Sequence, residues 1–142
     1  MDLRNDLSRL IEEVSKNAKT GLVDPQEIQN LGMVFLSVAL LTGEDYFFVL
    51  SNTMYTLADS LSSFLKVSTM PLSMEYRNKT ESLTEEMRSG ISHTLQAISN
   101  AISQGDKCSA LSASAELLRL SYKVNMLTES LKNVVVLGSQ GE

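Results

Sequence analysis

Apolar positions recur along almost the whole chain at steps of three and four residues, the spacing of helices that each bury one face. Leu3, Leu7, Leu10, Ile11, Val14 and Ala18 mark a first helix over about 2–20, with Asp2 as its N-cap and Gly21 as its stop. Asp24-Pro25-Gln26-Glu27 is the clearest local signal. Asp can cap, Pro fits the first helical position, and Glu follows three residues after the cap. The helix it opens carries Ile28, Leu31, Val34, Phe35, Val38 and Leu41 and ends near Gly43. It is apolar on most sides, so it is expected to be the central and most buried one.

A third helix starts at Glu44 or Asp45, carries Phe47, Phe48, Leu50, Met54, Leu57, Leu61 and Phe64, and breaks over Lys66–Pro71. A fourth begins between Pro71 and Thr84, with the stripe Leu83, Met87, Ile91, Leu95, Ile98 and Ile102. After the turn Gln104-Gly105-Asp106 comes the most regular segment. Ala110, Ala113, Leu117, Leu120, Val124, Leu127, Leu131 and Val134 form a heptad seam. A second stripe, Leu111, Ala115, Leu118, Tyr122 and Met126, lies roughly 100° around the same helix. Two adjacent apolar stripes imply two neighbours, inside a bundle or at a dimer seam. No repeat, linker or β-hairpin signature interrupts the pattern. It predicts one all-α domain over 1–142: an antiparallel bundle of about five helices, a four-helix core with the N-terminal helix packed across it, and a tail over about 138–142.

Composition narrows the function. The net charge is −5, and between residues 21 and 74 Asp24, Glu27, Glu44, Asp45 and Asp59 face only Lys66. Such a chain lacks the basic stripe that neutralises phosphates, so neither nucleic acid nor an anionic membrane surface is an expected partner. The apolar stretch Leu31–Leu41 is about half a membrane span. The start of the chain lacks the basic and apolar regions of a signal peptide, so a cytoplasmic location is expected. Serine is abundant, with 20 residues scattered through the helical segments, where its plainest role is to fill helix surface.

Most catalytic chemistry finds no residues to carry it. One histidine and one cysteine, His93 and Cys108, make neither a zinc site nor a haem attachment, and phosphate-cradling glycine motifs are absent. No cofactor or metal is expected. Cys108 follows Lys107 in the first turn of a helix, where its thiol pKa would fall, but a small packed residue is the simpler expectation. The adjacent carboxylates Glu12-Glu13, Glu44-Asp45 and Glu85-Glu86 point about 100° apart, as on a solvated face.

His93 is placed roughly 160° from Leu95, away from the core stripe, among Ser89, Gly90, Gln96, Ala97 and Asn100. The string Ser92-His93-Thr94-Leu95-Gln96-Ala97 resembles the phosphohistidine motif of histidine phosphotransfer domains, which are acidic helical bundles of similar size. It departs from that motif at Gln96, usually Lys or Arg, and at Ala97, usually Gly. The resemblance implies His93 as phosphoryl acceptor, with Gln96 and Ala97 on its face. The spacing of Arg88 and His93 resembles that of HEPN ribonucleases, with the two side chains roughly 140° apart on a straight helix.

The sequence reading by elimination is therefore a non-enzymatic interaction or assembly subunit whose partner is a protein, foremost a second copy. Its expected interface is the seam Leu117, Leu120, Val124, Leu127, Leu131 and Val134. Phosphotransfer through His93 is the alternative, followed by a ligand pocket in the Met- and Phe-containing bundle and by a HEPN-like nuclease.

Overall fold

A computed structural model describes residues 3–21, 23–70 and 74–140. Among them the chain forms five helices: α1 (Leu3–Thr20), α2 (Pro25–Thr42), α3 (Tyr46–Ser68), α4 (Met74–Ser103) and α5 (Lys107–Gln140). The all-α bundle expected from the sequence is what forms. The punctuation of the helices follows local chemistry. Asp24 accepts a hydrogen bond from the Gln26 amide at 2.9 Å and Pro25 opens α2. Gly43 closes α2 in the left-handed region at φ 72°, returning its N–H to Ala39. Asp106 caps α5 by accepting from the Ser109 amide at 3.1 Å and the Ser109 hydroxyl at 2.6 Å. The first-helix cap expected at Asp2 lies outside the described residues. At the other end α5 continues past Gly138 to Gln140, beyond the point where the sequence pattern places a tail.

The helices lie side by side in the order α2–α3–α5–α4–α1, with α1 and α2 meeting again only lightly. Consecutive helices run antiparallel, but α3 and α5 are parallel neighbours. Lys107 lies over the ring of Tyr46 and Ser114 bonds Thr53, so both helices advance together. One core is shared by all five, from Leu7 and Ile11 through Phe35, Phe47, Leu57 and Leu95 to Leu117.

Serine is more than surface filler. Among the described residues every buried polar side chain is a Ser or Thr. Ser8 and Ser99 face each other with hydroxyls 2.7 Å apart, and each hydroxyl reaches the other residue's carbonyl, at 2.8 and 3.0 Å. Two turns along, Ser15 and Ser92 repeat the arrangement at 3.0, 2.8 and 2.9 Å. Only a side chain as short as serine lets two backbones come this close while satisfying its own hydroxyl. Consequently α1 runs alongside α4 as a full stave of the bundle, where the sequence pattern had placed it across a four-helix core. Ser51 donates to the Gly32 carbonyl at 2.7 Å in the same way, where a Cβ on Gly32 would come within 3.2 Å of Met54 Cβ.

The position of α2 corrects the sequence expectation. Its inner face is buried through Ile28, Leu31, Phe35 and Val38, yet Met33, Leu36, Leu40 and Leu41 face solvent, the last two at 71% and 80% exposure. Apolar character all round places a helix at the centre only if both faces are covered. Here α3 covers one, and α2 stands at an edge.

Four substitutions test this packing by urea denaturation. Ser99→Leu is expected to cost about 1–3 kcal/mol, because it overfills the α1–α4 contact. Asp24→Ala is expected to cost about 1 kcal/mol through the lost cap. Val38→Asp is expected to unfold the chain, whereas Leu40→Glu, two residues on and exposed, should leave the midpoint within about 0.5 kcal/mol. Equal effects at Val38 and Leu40 would overturn the assignment of the α2 faces.

Candidate functional site

The bundle has two unlike sides. On α1 the residues Arg4, Asp6, Arg9, Glu12, Glu13, Lys16 and Lys19 mix both signs, and the first half of α4 is similarly charged. The α2–α3–α5 side is different. α2 carries one charged residue, Glu27, which is turned toward α1 and accepts from Asn17 at 3.1 Å. α3 carries only Asp59 and Lys66. On this side Met33, Leu36, Leu40 and Leu41 of α2, Phe48 and Val49 of α3, and Leu111, Tyr122 and Met126 of α5 are all exposed.

These three helices are successive neighbours, and Phe48 and Val49 of α3 come together with Leu118 of α5. Gly32 lies at the level of Ser51–Tyr55 and Thr53 at the level of Ser114. Helical rise then carries Leu36 to the level of Phe48, and Val49 to that of Leu111. Between α3 and α5 the surface dips into an open cleft of about 470 Å³ lined by Phe48, Val49, Asn52, Thr53, Thr56 and Leu118.

The expected seam on α5 points the other way. Leu117, Val124 and Leu131 are buried in the chain's own core, and Leu120 and Leu127 pack partly against it. The latter two line a smaller cleft of about 270 Å³ on α4 with Leu83 and Met87. The side chain of Val134 lies outside the described residues. It is the second stripe, Leu111, Ala115, Leu118, Tyr122 and Met126, that remains available, with Tyr122 and Met126 58% and 71% exposed. Periodicity finds both stripes but carries no sign of which one meets a neighbour.

His93 is exposed, as expected, on a narrow strip of α4 with Ala97 and Asn100. The strip is narrow because Ser92 and Ser99 on one flank are buried against α1, while Gly90 on the other meets Leu120 of α5. Gln96 donates to Asn100 at 3.2 Å, so its amide is turned along the helix. Arg88 is committed elsewhere. One guanidinium nitrogen donates to the Gly21 carbonyl at 2.9 Å, capping the C-terminal end of α1, and another lies 3.9 Å from Glu85. Its Nε is buried without a partner. α4 continues unbroken through Gly90, so Arg88 and His93 are not brought together.

Cys108 is exposed at the start of α5, not packed as its residue type suggested. Among the described residues no three His, Cys, Asp or Glu side chains cluster as metal ligands, and no helix is long and apolar enough to cross a membrane. A cleft of about 1000 Å³, polar and open, lies between the end of α3 and the start of α4 with Arg77, Glu81, Glu85 and Arg88 on its walls. No protein-family model, curated protein or solved structure matches the chain.

Two ionisable groups near the start of α5 are displaced. Burial, and secondarily the Glu44 carboxylate, push the Tyr46 phenol up, with Arg4 opposing them. Hydrogen bonds from the Ser109 side chain and then its backbone hold Asp106 below its ordinary value of 3.8. On acidification the unfolded chain takes up this proton first. The cap is therefore complete above about pH 4 and is lost as pH falls through the lower folded value. Asp106→Asn is expected to flatten the acid limb of the stability–pH curve between about pH 4 and 2, measured by urea unfolding. An unchanged slope there would remove Asp106 from the α5 cap.

Proposed function

We propose that this chain is a small non-enzymatic helical subunit that works by docking protein, a second copy of itself first of all, on its α2–α3–α5 side. The observation that carries this reading is the concentration of exposed apolar residues on α2, α3 and α5, where α2 and α3 carry only Glu27, Asp59 and Lys66 as charged residues. Monomeric soluble domains rarely leave contiguous apolar surface of more than a few hundred Å² in water unless something binds there. A cytoplasmic location belongs to this reading, which needs no cofactor.

Light scattering across a concentration series tests the self-association. The mass is expected to exceed that of one chain at high micromolar protein, and Tyr122→Glu, exposed in the monomer, should lower the mass without moving the melting temperature. Leu127→Gln lies in the seam packed toward α4 and is expected to cost stability instead. A strictly monomeric mass at high micromolar concentration would remove self-association.

One observation favours a second reading, phosphoryl transfer through His93. The imidazole is exposed beside the small Ala97, where an incoming acceptor domain meets little obstruction. No basic side chain stands in the positions of Gln96 or Ala97 to offset phosphate charge, so transfer would be slow. Incubation with phosphorylated receiver domains should leave acid-labile label that His93→Gln abolishes; absence of label in the wild type rejects it.

A further inference from the structure

Resting on the self-association reading, we infer that the second copy docks through the exposed stripe of α5, antiparallel to its counterpart, about a two-fold axis close to Leu118. The argument is the order of charges along this helix. Counted from Leu118, Lys107 and Glu129 stand eleven residues to either side with opposite sign. Glu116 stands two before and Arg119 one after, while Asp106 stands twelve before and Lys132 fourteen after. Only Lys123 lacks an opposite among these residues. Reversing the helix about Leu118 therefore lays acid on base at both ends of the stripe, while Glu116 and Arg119 pair with each other along their own helix.

The apolar stripe reverses onto itself in the same operation. Leu111 is seven residues before the centre and Met126 eight after, and Ala115 is three before and Tyr122 four after. Lys107 and Glu129 lie within about 20° of Leu118 around the helix, so the charges close the two ends of the stripe. Both are exposed, about 33 Å apart along the axis. A two-fold contact must be self-complementary in this sense, each residue meeting its partner twice. A parallel pairing would set Lys107 on Lys107 and Glu129 on Glu129, so the charge order selects the antiparallel one.

The native cysteine reports the geometry. Cys108 is exposed, and reversal brings it opposite Thr128 of the other copy, one residue from Glu129. It lies about 30 Å from the second Cys108. A bismaleimide spanning the helix separation of about 8–10 Å is expected to join two copies of Glu129→Cys but not two wild-type copies. Lys107→Glu and Glu129→Lys should each weaken the dimer roughly tenfold, since each places two like-charge contacts in it, and the double variant should recover to within about threefold. Circular dichroism of these surface variants should match the wild type.

Wild-type crosslinking through Cys108 would show a parallel dimer and overturn the inference. A dimer in which Glu129→Cys does not crosslink and the charge exchange does not rescue would place the contact on another face, such as α2, leaving the interaction reading intact. A monomer at high micromolar concentration would overturn both.

Discussion

The contact on which this bundle most depends is a hydroxyl reaching across to the backbone of the neighbouring helix. Ser8 with Ser99, Ser15 with Ser92, and Ser51 with Gly32 each join two helices by a side chain bonded to the opposite carbonyl. Apolar packing alone specifies contact but tolerates sliding. A hydroxyl that must find one carbonyl fixes the register, because a shift of one residue would bury it unsatisfied at a cost of about 1–3 kcal/mol. Of the remaining buried hydroxyls, Thr53 and Ser114 bond each other, while Ser60, Thr94, Ser121 and Thr128 bond the carbonyl four residues back in their own helix and so are equally satisfied. The lateral order of the helices follows from which faces carry these short residues.

That order also determines what is left uncovered. With α1 held against α4, the N-terminal helix covers a part of the bundle that its charged outer face keeps soluble. Nothing comparable covers α2, α3 and α5 on the opposite side, where the exposed residues include Leu, Met, Phe, Val and Tyr. The core of the chain is closed on itself, and the apolar residues left over are those the proposed self-association would cover.

Much of the secondary structure was legible in the sequence, because helix starts and stops are local chemistry. Asp24-Pro25, Gly43 and Asp106 act within a few residues of themselves and behave accordingly. The exposure of His93 was legible too, since the core stripe of α4 fixes its azimuth. Lateral position was not. The apolar surround of α2 is the same whether the outer half meets a helix or water, and the two stripes of α5 differ in no property that tells inward from outward. The buried serines were equally hidden, as a serine bonded across to a neighbour and one bonded to solvent have the same sequence context. The exposed apolar side therefore emerged only once neighbours were known, although Leu41, Phe48, Leu111, Tyr122 and Met126 had been counted as core candidates or stripe members.

The clasp between α1 and α4 has a consequence for the order in which the protein is made. Its paired residues are 91 and 77 positions apart, whereas α4 and α5 are joined by a short turn. On a ribosome α1 emerges first and waits for most of the chain before its partner exists, with Leu7, Ile11 and Val14 uncovered meanwhile. Closing so long a loop is entropically the slowest of the bundle's docking steps. The first helix to be synthesised is thus the last to be seated, and the nascent chain passes through a stage at which both its sides are apolar.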